Sequence, residues 1–170
     1  AVITLPDSLC WLLNVRGSDI PRNPLAQGFG ILRDDGAVTY FTNATADDAL
    51  RAHLGPDVTL APYDGLSGAL PDLSGKVLVD PDTAPEAARD LLRAEVVEGR
   101  DPCVLPKARK TDAEIAATRA AHLRDGAAMI EFLAWFDREA PNGTQTEIDA
   151  AKALEGFRRA TNALQDISFD

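Results

Sequence analysis

The chain has 170 residues, of which 45% are hydrophobic and 26% are charged, and its formal net charge is −10 at pH 7. This composition is too apolar for a disordered chain, and the acidic balance argues against nucleic acid as a partner, because phosphate binding needs clustered Lys and Arg. No apolar run approaches the roughly 20 residues of a membrane span. Cys10 and Cys103 are the two cysteines, so we expect no disulfide scaffold and place the chain in the reducing cytoplasm.

The first half of the chain predicts short strands and helices separated by turns. Residues 10–15 form an apolar run with the length and aromatic content of a buried strand. Residues 28–32 and 37–42 flank Asp34-Asp35-Gly36. An Asp-Gly pair between two such runs predicts a β-hairpin.

Two helices are expected between these strands and residue 95. Thr45 can cap the first, which would end at Gly55. Thr83 and Glu86 have the spacing of a capping box, so the second would run to about Ala94. Three further segments have the apolar content of strands: residues 58–61, 76–79 and 95–98. This alternation indicates an α/β domain with a mixed sheet, in which the hairpin supplies the antiparallel part.

The remainder predicts two helices after a basic connector at residues 107–110. Thr111 with Glu114 forms a capping box that opens the first helix, and Thr144 with Glu147 opens the second. The first has one apolar stripe, whose residues recur at steps of four and three: Ala116, Ala120, Leu123, Ala127, Ile130 and Ala134. We expect the inner face of the second to carry Ile148, Ala151, Leu154, Phe157, Thr161 and Leu164. Residues 129–136 are apolar almost all round, which is typical of a segment buried on several sides, and residues 167–170 resemble the start of a strand.

Candidate metal ligands and nucleophiles are few. His53 and His122 are about seventy positions apart, and neither has a second histidine or a cysteine at ligand spacing, so no metal site is predicted. The aspartate pairs occupy turns and first turns of helices, where Asp is favoured for local structure; they are Asp34 with Asp35, Asp47 with Asp48, and Asp80 with Asp82. No phosphate-binding loop or serine elbow is present, and no residue of this chain is assigned a catalytic role.

The most distinctive segment is the loop at residues 16–24, which reads RGSDIPRNP. Arg16, Asp19, Arg22 and Asn23 are its candidate binding residues, since loops on a rigid scaffold often carry function. The alternative is a structured turn in which Asp19 accepts from backbone amides and Arg16 pairs locally. Residue chemistry alone favours the structured turn.

This loop also belongs to a set of motifs that resembles the three-domain Xaa-Pro aminopeptidases (aminopeptidase P). The resemblance begins with WLLNVRGSDIPRNP at residues 11–24 and continues with DPCVLPKARKTDAEI at residues 101–115. It is closest in RAAHLRDGAA at residues 119–128, and it persists in EFLAW at residues 131–135 and TEID at residues 146–149. The motifs occur in the family's order and span nearly the whole chain.

The resemblance implies both a fold and a domain division. Residues 1–106 would form a middle domain like the creatinase N-terminal domain, with a mixed sheet and flanking helices. Residues 107–170 would form a two-helix tail, the opening of a truncated "pita-bread" catalytic domain. The family removes the N-terminal residue from peptides with proline in second position, using two divalent metal ions, usually manganese. Its metal ligands match no residue here, so we expect a fragment that binds no cofactor and is inactive alone.

The resemblance leaves two roles open within such a fragment. The loop at residues 16–23 would contact the substrate or another domain, while the rest of the middle domain frames access to the active site. Residues 129–136, lacking their usual sheet, would pack on their own helix pair, on the middle domain or on a second copy. A homodimer through the helical tail is therefore expected. The alternative function is a stand-alone acidic α/β module that binds a protein partner, with no membrane or nucleic-acid contact.

Overall fold

The computed structural model describes residues 1–168 and divides into two compact units. The first unit ends at Arg109 and the second begins at Lys110. Each unit is built on its own set of elements.

A six-stranded mixed sheet forms the centre of the first unit. Its strands are β1 (Val2–Ile3), β2 (Gly28–Leu32), β3 (Val38–Thr42), β4 (Val58–Pro62), β5 (Lys76–Val79) and β6 (Glu95–Glu98). Their order across the sheet is β4-β3-β2-β1-β5-β6. The pairs β1–β2 and β2–β3 are antiparallel, and the other three pairs are parallel. The predicted mixed sheet with flanking helices is confirmed.

Helices cover both faces of this sheet. They are α1 (Pro6–Leu12), α2 (Asp48–Leu54), α3 (Leu66–Ala69), α4 (Glu86–Leu91) and α5 (Val104–Ala108). Successive strand residues point to opposite faces, so Val2 and Phe41 join one buried cluster while Ile3 and Tyr40 join the other. The first cluster packs against α3 and α4, and the second contains Leu9, Cys10 and Leu13.

The predicted hairpin between β2 and β3 is confirmed. Gly36 has φ +92°, a left-handed conformation that favours glycine, and the Asp35 carboxylate accepts a hydrogen bond from the Ala37 amide at 2.9 Å. Both local features select Asp-Gly for this turn.

The strand predicted at residues 10–15 is wrong. Residues 6–12 form α1, because Pro6 suits the first helical turn and Leu9, Cys10 and Leu13 then share one buried face. A short apolar run is compatible with either a strand or a buried helix, and the spacing decides for the helix. The strand on this side of the sheet is instead β1, which has two residues.

Two predicted helix starts and one predicted helix end are displaced in the first unit. The α2 cap is Asp47 rather than Thr45, and its side chain accepts from the Leu50 amide at 2.8 Å. The predicted capping box at Thr83 does not form, because α4 begins after Pro85. That helix ends at Leu91, not at Ala94, since the chain then extends into β6.

The connector predicted at residues 107–110 is partly helical. Residues 104–108 form α5, and the Lys107 ammonium lies 3.2 Å from the Asp7 carboxylate of α1. An apolar start, Val104-Leu105, followed by a basic end explains the short helix, since cations favour the C-terminal end.

The second unit consists of two packed helices. They are α6 (Asp112–Glu139) and α7 (Glu147–Ala160). The predicted capping box of Thr111 and Glu114 is confirmed at the start of α6. The second box uses Thr146 with Asp149 rather than Thr144 with Glu147. Both pairs fit the sequence pattern, and the structure selects the later one.

The apolar stripe predicted on α6 is not the side that is buried within the described residues. Leu123 is 81% exposed and Ile130 is 69% exposed, whereas Ala128 is 2% exposed. A salt bridge from Asp125 to Arg158 of α7 shows which side of α6 faces its neighbour. Small side chains on that side permit close packing of the two helices. They contribute little to the hydrophobic periodicity of the sequence, which is therefore dominated by the larger, exposed residues.

The predicted inner face of α7 is confirmed in part: Leu154, Phe157, Thr161 and Leu164 are half-buried, whereas Ile148 is 66% exposed. The burial expected for residues 129–136 is not found in this unit, since Leu133 and Phe136 are 51% and 38% exposed. Within the described residues, 167 and 168 are not in a strand, and the rest of the strand predicted at residues 167–170 lies outside them.

Candidate functional site

The candidate site is the loop that joins α1 to β2. Its four candidate residues lie in one segment, with Arg16 just after α1, Asp19 near the return to β2, and Arg22 and Asn23 at the far turn. The element before the loop is helix α1, whereas the sequence predicts a strand there. Arg16, Asp19 and Asn23 are exposed, and Arg22 is half-buried.

The base of the loop is fixed by buried groups. The Ala26 amide donates to Cys10 Sγ at 3.3 Å, and that thiol lies 3.6 Å from the Ala26 carbonyl. The Gly17 amide donates to the Pro24 carbonyl at 3.3 Å. A Cβ on Gly17 would lie 2.7 Å from the Ala26 Cα, so the two sides of the loop pass closer than a side chain allows. Cys10 therefore acts as a structural anchor.

Arg16 caps the C-terminal end of α1. Its Nη1 donates to the Cys10 carbonyl at 3.1 Å and to the Val15 carbonyl at 2.8 Å. Carbonyls at a helix end carry partial negative charge, so a guanidinium is favoured there even though the Cys10 carbonyl also accepts from the Val15 amide at 3.0 Å. The two hydrogen bonds orient the Arg16 side chain, and the residue is also exposed to solvent.

His53 completes this cap from α2. Its Nε2 lies 3.1 Å from both the Leu13 and the Asn14 carbonyls. Since carbonyls only accept, Nε2 must carry the hydrogen. Sequence spacing gives no signal for this contact, because His53 is forty positions from Leu13 in the chain.

The outer part of the loop is ordered by its own backbone. The Asp19 carboxylate accepts from the Gln27 amide at 2.7 Å, and the Asp19 amide donates to the Leu25 carbonyl at 3.3 Å. The Asn23 amide donates to the Ile20 carbonyl at 3.1 Å, while Arg22 between them has φ +62°. The predicted local hydrogen bonds are confirmed: Asp19 accepts from a backbone amide, and Arg16 donates to nearby backbone carbonyls. Their hydrogen bonds go to backbone, which leaves a rigid loop with a polar, exposed tip.

A buried polar cluster lies beyond the end of β5. Asp80 and Asp101 are 7% and 5% exposed. The Asp80 carboxylate accepts from the amides of Asp82 at 3.0 Å and Asp101 at 2.8 Å, and Asp101 accepts from the Cys103 amide at 2.7 Å. These bonds fix two turns, so the cluster is structural. The local role expected for Asp80 is confirmed.

Cys103 belongs to this cluster. Burial, followed by the neighbouring Asp101 carboxylate, raises the pKa of the Cys103 thiol to about 12. A thiol with so high a pKa is a poor nucleophile at neutral pH. Its side chain is 3% exposed, so it is also shielded from solvent. These properties do not suit a catalytic cysteine.

The second unit contains a groove of about 900 Å³ between α6, α7 and residues 161–168. Its apolar lining includes Ala121, Ala151, Leu154 and Leu164. At its edge, Arg158 donates to both carboxylate oxygens of Asp125, at 2.7 and 3.0 Å, and this lowers the pKa of Asp125. The bidentate pair holds the two helices in register.

The described residues, 1–168, do not hold a group of three or more His, Cys, Asp or Glu side chains arranged to bind a metal ion. His53 is committed to two carbonyls, and both cysteines are buried. Across the same residues, every helix is too short or too polar to cross a membrane.

Comparison with known proteins gives consistent matches. Residues 1–114 match the family described as the creatinase/prolidase N-terminal domain. Probable Xaa-Pro aminopeptidases P of Aspergillus clavatus and Aspergillus niger are 36% and 35% identical over 99% of this chain. The chain spans only 28% and 30% of those relatives.

A solved structure matches over the same share of this chain. It is the X-prolyl aminopeptidase of Caenorhabditis elegans, described as a cytosolic enzyme with a di-nuclear active site. The TM-score is 0.87 at 31% identity, over 99% of this chain and 29% of the worm protein.

Proposed function

The chain belongs to the creatinase/prolidase N-terminal domain family, and from this premise we propose that it is part of a longer Xaa-Pro aminopeptidase. The proposed reaction removes the N-terminal residue from a peptide with proline in second position. The observation that carries the proposal is the match of 99% of the chain, at TM-score 0.87, to less than a third of an X-prolyl aminopeptidase. The cytosolic description of that relative supports a cytoplasmic location.

The metal chemistry of such an enzyme does not fit the residues present here. The worm relative has a di-nuclear active site, whereas the described residues of this chain lack a cluster of donors for even one ion. We therefore assign the metal pair, and manganese as its proposed identity, to residues of the parent enzyme outside this chain. The 170-residue chain alone is proposed to be inactive.

Residues 1–106 are proposed to act as a non-catalytic scaffold that frames access to the active site. The loop at residues 16–23 suits this role, because its backbone is fixed while Arg16, Asp19 and Asn23 remain exposed. A pre-ordered loop loses little conformational entropy when it contacts a peptide or a neighbouring domain. We propose that it forms a substrate or domain interface in the parent.

Residues 107–170 are proposed to be the first helices of the peptidase domain. The support is the alignment, which extends past residue 114 to cover 99% of the chain. The groove between α6 and α7 has an apolar lining and a charged edge. In the parent, we assign this groove to packing with the rest of that domain.

The loop proposal is tested by Arg16→Ala in the complete enzyme. We expect kcat/KM for a Xaa-Pro peptide to fall about fivefold or more, and the Tm to fall by several degrees because one hydrogen bond to the end of α1 and one to the Val15 carbonyl are lost. Arg33→Ala is the matched control, because Arg33 is an exposed arginine in the β2–β3 turn. Kinetics and Tm equal to those of the control would leave the loop without the proposed role.

A further inference from the structure

The far turn of the candidate loop carries an arginine where the backbone favours glycine. The Asn23 amide donates to the Ile20 carbonyl at 3.1 Å, which closes a four-residue turn with Pro21 and Arg22 at its centre. The proline ring excludes a positive φ at Pro21, whereas Arg22 has φ +62°. This combination is a type II turn, whose third position is normally Gly or Asn.

The neighbours of Arg22 impose this conformation on it. A long side chain at positive φ is strained, because its Cβ approaches the following carbonyl oxygen. Pro21 restricts the backbone before it. Around the turn, the Asp19 amide donates to the Leu25 carbonyl, and the Asp19 carboxylate accepts from the Gln27 amide. Glycine or asparagine would form the same turn with less strain, so turn formation does not explain an arginine here.

Strained residues cluster at functional sites, where the side chain has a use that the backbone does not. We propose that Arg22 occupies this position because its guanidinium binds a carboxylate. The planar guanidinium forms paired hydrogen bonds with a carboxylate, which an ammonium group cannot form. The net charge of −10 disfavours the other common ligand of arginine, an extended phosphate backbone.

This inference rests on the proposed function, because that function supplies the ligand. The carboxylate belongs either to the C-terminus of the peptide substrate or to a neighbouring domain of the parent enzyme. The chemistry of recognition is the same in both cases, and the source is decided by experiment.

The two arginines of the loop then have different roles. Arg16 donates to the Cys10 and Val15 carbonyls, so it stabilises the base of the loop. Arg22 strains the far turn and contributes to binding. Replacement of Arg22 should therefore stabilise the chain and weaken the enzyme, a combination that a purely structural arginine would not give.

The first test measures the Tm of the 170-residue chain. We expect Arg22→Gly and Arg22→Asn to raise the Tm by at least about 2 °C, since both residues tolerate positive φ. Asn14→Gly is the matched control, because Asn14 also has a positive φ, +49°, but is already an asparagine and should leave the Tm unchanged. A Tm at or below that of wild type for both Arg22 variants would refute the strain and with it the inference.

The second test measures kcat/KM of the complete enzyme for a Xaa-Pro-Xaa tripeptide, as the free acid and as the C-terminal amide. We expect Arg22→Asn to lower kcat/KM at least about tenfold, and Arg22→Lys, which keeps the charge without the planar fork, to be intermediate. Loss confined to the free acid would identify the carboxylate of the substrate. Equal loss with both peptides would identify a carboxylate of a neighbouring domain.

The outcomes separate this inference from the proposed function. Arg33→Asn is the matched control, because Arg33 is an exposed arginine outside the loop and should leave kcat/KM unchanged. An active wild-type enzyme with an Arg22→Asn variant equal to it on both peptides would overturn this inference alone. An inactive wild-type enzyme would overturn the proposed function together with the inference.

Discussion

Gly17→Ala is the sharpest test of the rigid loop. The new Cβ would lie 2.7 Å from the Ala26 Cα, 2.8 Å from its Cβ and 2.9 Å from its amide nitrogen. Two of these three atoms belong to backbone, so the clash cannot be relieved by a side-chain rotation. The two sides of the loop must therefore separate.

That separation has a cost which the structure allows us to estimate. Moving Ala26 weakens the hydrogen bond from its amide to Cys10 Sγ, and moving Gly17 weakens the one to the Pro24 carbonyl. Forcing one extra methyl into a packed site typically costs about 1–3 kcal/mol. With an m-value of about 1–3 kcal/mol/M, the urea midpoint should fall by roughly 1 M.

The assay is urea unfolding followed by tryptophan fluorescence, since Trp11 lies in α1 beside the loop. Gly68→Ala is the matched control. Gly68 lies in α3 of the same unit, and an added Cβ there meets no atom within 4 Å, so that variant should be neutral or up to about 1 kcal/mol more stable. A Gly17→Ala midpoint equal to that of wild type would refute the close approach on which the rigid loop depends.

Three further outcomes follow from other contacts. Cys103, whose pKa is raised to about 12, should stay unlabelled by a thiol reagent at pH 8 in the folded chain and react once urea unfolds it; rapid native labelling would contradict the buried thiol. Arg158 lowers the pKa of Asp125, so this pair stabilises the folded state above the unfolded pKa and loses its effect as pH falls through the folded value. An NMR titration should find that Arg158→Gln raises that pKa, and an unchanged value would argue against the pair. Thr111→Ala should reduce stability of α6 by about 0.5–2 kcal/mol in urea unfolding, since it removes the cap on the Glu114 amide, whereas Thr144→Ala, outside any cap, should be neutral.

Local signals predicted much of the fold because they are set by neighbouring residues. The Asp-Gly hairpin and the Thr111–Glu114 capping box both form as their sequences indicate. The strand at residues 76–79 has its predicted bounds. Each of these depends on hydrogen bonds or turn conformations within a few positions.

Features that depend on tertiary packing were less predictable. Residues 10–15 read as a strand, but the burial of Leu9 and Cys10 against the sheet makes α1 the stable solution. The exposed Leu123 and Ile130 gave a stronger periodic signal than Ala128, which is the buried residue. The large apolar side chains dominate the sequence pattern, but the side of the helix that packs closely carries small side chains.

The candidate loop shows the same division. Its membership, Arg16, Asp19, Arg22 and Asn23, could be read from composition, and the local bonds of Arg16 and Asp19 followed from turn chemistry. The contacts that Cys10, Ala26 and His53 make with the loop could not be predicted from the sequence, because the bonded residues are far apart along the chain.

The most direct test of the proposed function is hydrolysis by the product of the complete reading frame. We expect that protein, loaded with manganese, to release the first residue from a Xaa-Pro peptide, to leave the matched Xaa-Ala peptide intact, and to lose activity with a chelator. The 170-residue chain alone should release nothing. A reading frame that stops at Asp170, or a complete product that cleaves neither peptide, would contradict the account and favour the stand-alone binding module.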